Sequence, residues 1–227
     1  MNLNDHSRLR GKHALLSPSN PAFMNLSADD IRERIFSKLR TSIGTEIHEF
    51  SFYKIESRSK TTSLRDVKRS LQDYIFKKYY LDDYRTLSRE GRRLLKVLEY
   101  MPKEVFETVN AYINDAIGFR MIPEAVLASS DRMFGTADTL IFQDGSEKLL
   151  RIHDLKTGST PGKIDQLLGY DALYCLEYGI NPNDISHELR IYQNGDIVFA
   201  NPTGDDIRPI MNKFEECDQI IREFEEV

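Results

Sequence analysis

Leu149-Leu150-Arg151-Ile152-His153-Asp154-Leu155-Lys156 is the stretch on which the reading of this chain turns. Its run of Leu and Ile after the turn signal Asp144-Gly145 predicts a strand over 148–155. Alternate strand residues face opposite ways, so Asp154 and Lys156 share one face and Leu155 takes the other. Just upstream, Phe134-Gly135-Thr136-Ala137-Asp138-Thr139-Leu140-Ile141 lies in a second predicted strand, 133–143. Pairing the two through the turn brings Asp138 towards Asp154. Read alone, Asp154 is a strand-end carboxylate in a surface ion pair with Lys156 or Arg151. Asp138, however, stands inside an apolar strand, where a lone charge is costly. Two carboxylates at one end of a hairpin repel unless something positive lies between them. A divalent cation held by oxygen ligands meets that need, and the adjacent lysine suits a developing anion.

Working outward, residues 122–128 predict a strand before this hairpin, and 163–178 an amphipathic helix after it. Strands over 188–193 and 196–200 join at Asn194-Gly195, a favoured two-residue turn. A helix over 205–225 closes the chain. The second half thus reads βββ-α-ββ-α. The first half reads as helices: 28–40, with Ser27 as N-cap and Asp29 and Asp30 in its first turn; 43–57; 64–79, capped by Ser63; one begun by Ser88; and one from Pro102 at N1 to Ile117. Residues 1–25 read as irregular, with a turn cluster at Ser17-Pro18-Ser19-Asn20-Pro21.

Composition narrows the function classes. The chain has 227 residues, 40% apolar and 30% charged, which fits a folded domain rather than a disordered one. It holds no run of about 18 apolar residues, so no membrane span is expected. Met1 to Lys12 is polar and lacks the apolar core of a signal peptide, so the expectation is an intracellular, cytoplasmic protein. Cys175 and Cys217 are read as free thiols; two cysteines supply neither a four-cysteine iron–sulfur cluster nor a structural zinc site. The net charge of −5 is unevenly spread. Residues 1–120 carry 22 Lys and Arg against 16 Asp and Glu, whereas residues 121–227 carry 9 against 20. The basic half suits phosphates, the acidic half cations, and either could equally be a solvated face.

At four places the sequence resembles the PD-(D/E)XK nucleases, and their RecB-like exonuclease branch in particular. Gly135-Thr136-Ala137-Asp138 followed by Asp154-Leu155-Lys156 is similar to the core signature. Gly44-Thr45-Glu46-Ile47-His48-Glu49 resembles the upstream helical motif, whose histidine is a metal ligand. Gln166-Leu167-Leu168-Gly169-Tyr170 resembles the downstream Q-x-x-x-Y motif, with Gln166 and Tyr170 one helical turn apart. Gly11 to Asn25 resembles the start of phage-encoded members. The likeness spans about residues 11–57 and 122–200 and leaves 60–120 uncovered.

The resemblance implies an α/β fold: a restriction-endonuclease-like core, with a mixed central sheet flanked by helices, in a single domain over 1–227 with an inserted helical lobe at 60–120. It implies a DNA phosphodiesterase using one or two Mg²⁺ or Mn²⁺ ions held by His48, Asp138, Asp154 and the Leu155 carbonyl. Lys156 would assist the attacking water or the phosphoryl oxygens, and Gln166 and Tyr170 would position the strand. Asp138, Asp154 and Lys156 form the expected catalytic set. Glu124 is weighed as a further carboxylate, His13 as a capping residue or a contact where DNA enters, and His153 as structural. An exonuclease in phage recombination or DNA processing leads, acting in the host cytoplasm on DNA, with a recombination or single-strand-binding protein or a second copy of the chain as further partners. The alternatives are a non-catalytic DNA- or protein-binding module that retains the fold, and a structure-specific endonuclease. No iron–sulfur cluster and no phosphate-binding P-loop is expected.

Overall fold

The computed structural model describes residues 24–82, 85–158 and 160–225, side chains at 32, 33 and 35–40 apart. The Gly11–Asn25 resemblance, save its last two residues, lies outside them, as do the 17–21 turn cluster and His13. Helix α1 spans Ala28–Glu56, α2 Leu64–Tyr79, α3 Arg89–Glu99 and α4 Lys103–Gly118. A two-residue ladder, β1 (Tyr80–Leu81) with β2 (Thr86–Leu87), joins α2 to α3. Then follow β3 (Ile122–Ser130), β4 (Met133–Asp144), β5 (Lys148–Lys156), α5 (Ile164–Tyr178), β6 (Ser186–Gln193), β7 (Asp196–Ala200) and α6 (Gly204–Glu225). Among the described residues no helix is long and apolar enough to cross a membrane.

The fold is mixed α/β. Five strands run in the order β3-β4-β5-β6-β7, antiparallel throughout except for the parallel β5–β6 pair, whose crossover is α5. One face of the sheet packs on α5 through Leu150, Ile152, Leu189 and Ile191 against Leu167, Leu173 and Tyr174. Leu155 and Tyr192 point the other way, into a core made mostly by α1–α4. The N-terminal helices therefore share their apolar interior with the sheet.

Several expectations need correction. The two helices foreseen over 28–40 and 43–57 are one helix. Gly44 lowers the helix propensity of that region, yet buried Ile43, Ile47 and Phe50 carry the apolar face straight through it. Pro102 is the N-cap of α4 rather than its first helical residue, and Lys163 caps α5. The capping serines stand as expected. Ser27 Oγ accepts from the Asp30 N–H at 3.1 Å while Asp30 accepts from the Ser27 N–H at 2.8 Å, a reciprocal capping box. Cys175 is buried, Cys217 half-buried, and both are free.

Candidate active site

The β4–β5 register ends at Thr139 paired with His153; continued one step, it places Asp138 opposite Asp154. Like charges facing across a ladder are destabilising. Asp138 Oδ2 accepts the Leu155 N–H at 2.8 Å. Burial, reinforced by the charge of Asp154, pushes the Asp138 carboxyl up to about 7, although the Leu155 N–H and Lys156 pull it back. Asp154 is only 3% exposed. Its Oδ1 takes the Lys156 ammonium at 3.0 Å, while its buried Oδ2 has no hydrogen-bond partner among the described residues.

Helix α1 delivers His48 to this point. Gly44 lies against the chain just past β5: a Cβ there would stand 2.7 Å from Thr157 Oγ1. One helical turn on, His48 Nδ1 comes within 3.5 Å of Asp138 Oδ2. Burial lowers the His48 pKa, against the raising influence of Asp154 and Glu124 and a hydrogen bond to the Leu155 main chain. A neutral imidazole is the form that ligates a metal. Elsewhere on α1, buried Glu46 accepts from Lys78 Nζ at 3.0 Å and from Tyr79 Oη at 2.8 Å, so α2 fixes the position of α1. The glycine makes the approach, and the Gly44→Val variant should show it. The β-branched bulk forces α1 away from the chain at Thr157, and thermal unfolding should register a loss of about 1–3 kcal/mol, the scale of overpacking.

The remaining motif residues converge on the lysine. Gln166 Oε1 accepts from Lys156 Nζ at 3.0 Å, and Gln166 Nε2 lies 3.3 Å from Tyr170 Oη. The Tyr170 ring packs over Gly135, where a Cβ would meet its Cε1 at 2.9 Å. The structure thus brings together His48, Asp138, Asp154, the Leu155 main chain, Lys156, Gln166 and Tyr170, from four separate stretches. His153 is fully buried on the opposite face, edge-on to Phe119.

Glu124 belongs beside this group. Desolvation, reinforced by the charge of Asp138, raises its carboxyl, and its φ of +50° is unusual for a residue with a Cβ. Strained backbone of this kind clusters at functional sites. Nothing in the sequence announces that φ, since Pro123-Glu124-Ala125 reads as ordinary strand. Sequence reasoning also passed over the side chain of Gln193, which sits beside Lys156 in the parallel register.

Among the described residues no three His, Cys, Asp or Glu side chains already stand as a ligand cluster. The donor set nonetheless suits a hard divalent cation: two facing carboxylates, one with an unpartnered buried oxygen, and a neutral imidazole. The chain matches no protein-family model, no curated protein and no solved structure.

Proposed function

We propose that the chain is a metal-dependent deoxyribonuclease of the PD-(D/E)XK type, in its RecB-like branch, and that it acts as an exonuclease. The observation that carries this reading is the buried Asp154, close enough for its charge to act on Asp138, with one oxygen unpartnered among the described residues and Lys156 on the other. His48, Asp138, Asp154 and the Leu155 carbonyl are the groups that would hold Mg²⁺ or Mn²⁺, and the charge of Glu124 is felt by His48 among them. Such an ion supplies Lewis-acid polarisation and water activation when bound. The chain's own work is then electrostatic and positional. Lys156 presents a cation to the non-bridging oxygens of the scissile phosphate, where charge builds as water attacks. Gln166 restrains that ammonium, and Tyr170 holds Gln166 in turn.

The groups that would meet DNA phosphates are basic residues of α2 and α3. Arg65, Arg69 and Lys77 of α2 and Arg89, Arg92, Arg93 and Lys96 of α3 are exposed. Neutralising phosphates releases counterions, so DNA affinity should fall steeply as salt rises. The reading is tested by incubating the protein with linear, nicked and covalently closed circular DNA, in Mg²⁺ or Mn²⁺. Linear DNA should be digested from its ends while closed circles survive. Cutting of closed circles would make the enzyme an endonuclease, and inertness towards all three substrates with both cations would remove the nuclease reading.

A further inference from the structure

Lys156 is followed by a connection to α5, of which residues 157, 158 and 160–163 are described. Against it lies Gln193, the last residue of β6, paired with Lys156 in the parallel register and only 8% exposed. All the hydrogen-bonding directions of its carboxamide that the structure records go to this loop. Oε1 accepts the Gly162 N–H at 2.9 Å, and Nε2 donates to the Gly158 carbonyl at 2.8 Å and to the Thr160 carbonyl at 2.7 Å. One side chain therefore closes three main-chain groups of a segment that has no ladder of its own. The loop in turn backs the lysine. Gly162 fits so closely that a Cβ there would stand 2.8 Å from Ile191 Cγ2 and 3.2 Å from Lys156 Cγ.

We infer that Gln193 is a positioning residue for Lys156: by tying down Gly158, Thr160 and Gly162 it sets Gly162 against the lysine stem, and so aims the ammonium between Asp154 and Gln166. The chemistry of an amide is required. A carboxylate would turn two donated bonds into repulsion against carbonyl oxygens, and an apolar side chain would leave three part-buried main-chain groups to water and the loop without its pin. Among the described residues the Gln193 carboxamide bonds to main-chain groups of this loop and not to either aspartate, so it acts through the lysine. The catalytic half of the inference rests on the nuclease reading above; the positional half does not.

The test compares wild type with Gln193→Met, which keeps the length of the side chain and loses all three bonds. Three quantities are read: hydrogen exchange of the 157–163 amides, the rate at which an acetylating reagent modifies the Lys156 amine (followed by mass spectrometry), and kcat and KM for DNA cleavage. Expected are several-fold faster loop exchange, several-fold faster acetylation, and kcat down by about 10²-fold, the scale of an ångström's misplacement, with KM and the unfolding temperature little changed. A loop and an amine that behave as in wild type overturn the inference, whatever happens to activity. Equal losses in KM and in global stability also overturn it, since they mark general damage. If wild type itself fails to cleave DNA, the nuclease reading falls, and the loop and amine measurements still decide the role of Gln193. Gly162→Ala supplies a second variant that presses on the lysine stem from the same side without touching the carboxamide. It should raise Lys156 acetylation while leaving the Gln193 bonds to Gly158 and Thr160 in place.

Discussion

Asp154→Ala is expected to lower DNA cleavage by on the order of 10³-fold or more, the cost of deleting one preorganised electrostatic group from a water-poor site. Unfolding stability should stay level or rise in the same variant. The two effects have opposite sign because Asp154 is a poor structural residue. It is buried, repels Asp138, and leaves Oδ2 without a partner among the described residues. Burying a charge without full hydrogen bonding costs free energy, and removing the charge returns it. Lys156, which loses its ion pair, is 29% exposed and can take water instead. Activity lost with stability kept is the pattern of a residue retained for chemistry. Rates measured beside thermal unfolding check both halves. Full activity, or a fall of several kcal/mol in stability, would contradict the role assigned to Asp154.

Asp171→Asn is expected to cost about 3 kcal/mol of unfolding stability, the low end of what breaking a buried ion pair removes. Asp171 of α5 is fully buried, and His187 of β6 nearly so. The His187 ring lies with Nδ1 2.8 Å from Asp171 Oδ2 and Nε2 2.9 Å from the Pro182 carbonyl. A neutral imidazole has one N–H and one lone pair, so it can satisfy only one of two acceptors. Geometry therefore favours the imidazolium. Burial alone would lower the His187 pKa, but Asp171 and the Pro182 carbonyl raise it above its ordinary value. Burial also lifts the Asp171 carboxyl, and the imidazolium draws it back. The sign for stability follows from His187 binding its proton more tightly folded than unfolded. Its contribution is complete below the unfolded pKa, near 6.5, and drains away as pH rises through the higher folded value. Urea unfolding from pH 6 upward should show wild type losing stability across that window. Asp171→Asn should start lower and lose less. Parallel pH profiles for the two proteins would mean that His187 is not held as a cation.

The parts of the fold that local chemistry fixes were the parts the sequence disclosed. Asn194-Gly195 takes positive φ at both residues, 53° and 81°, as a two-residue hairpin requires. The alternation in 148–155 and the turn before it placed Asp154 and Lys156 on one face and Leu155 on the other. The motif residues at 44–49 and 166–170 were legible as stretches but not as geometry. That Gly44 exists to admit Thr157, and Gly135 to admit the Tyr170 ring, depends on chain segments far apart in sequence. The break foreseen near residue 42 failed because tertiary burial of Ile43 and Ile47 overrides a local propensity. Gln193 gave no signal at all: a polar residue at a strand end before a turn is commonplace, and its three bonds reach back more than thirty residues. The same holds for Glu124, whose strained backbone no pattern of side chains reports.

The proposed chemistry requires a divalent cation to be held where β4, β5 and α1 meet. Calorimetric titration of the protein with Mn²⁺ tests it most directly, run on wild type and on Asp138→Asn combined with Asp154→Asn, in the absence of DNA. Saturable binding of one or two ions by wild type, lost in the double variant while its unfolding temperature holds, is the predicted result. Identical binding isotherms for the two proteins, or no binding heat from a folded wild type, would contradict it.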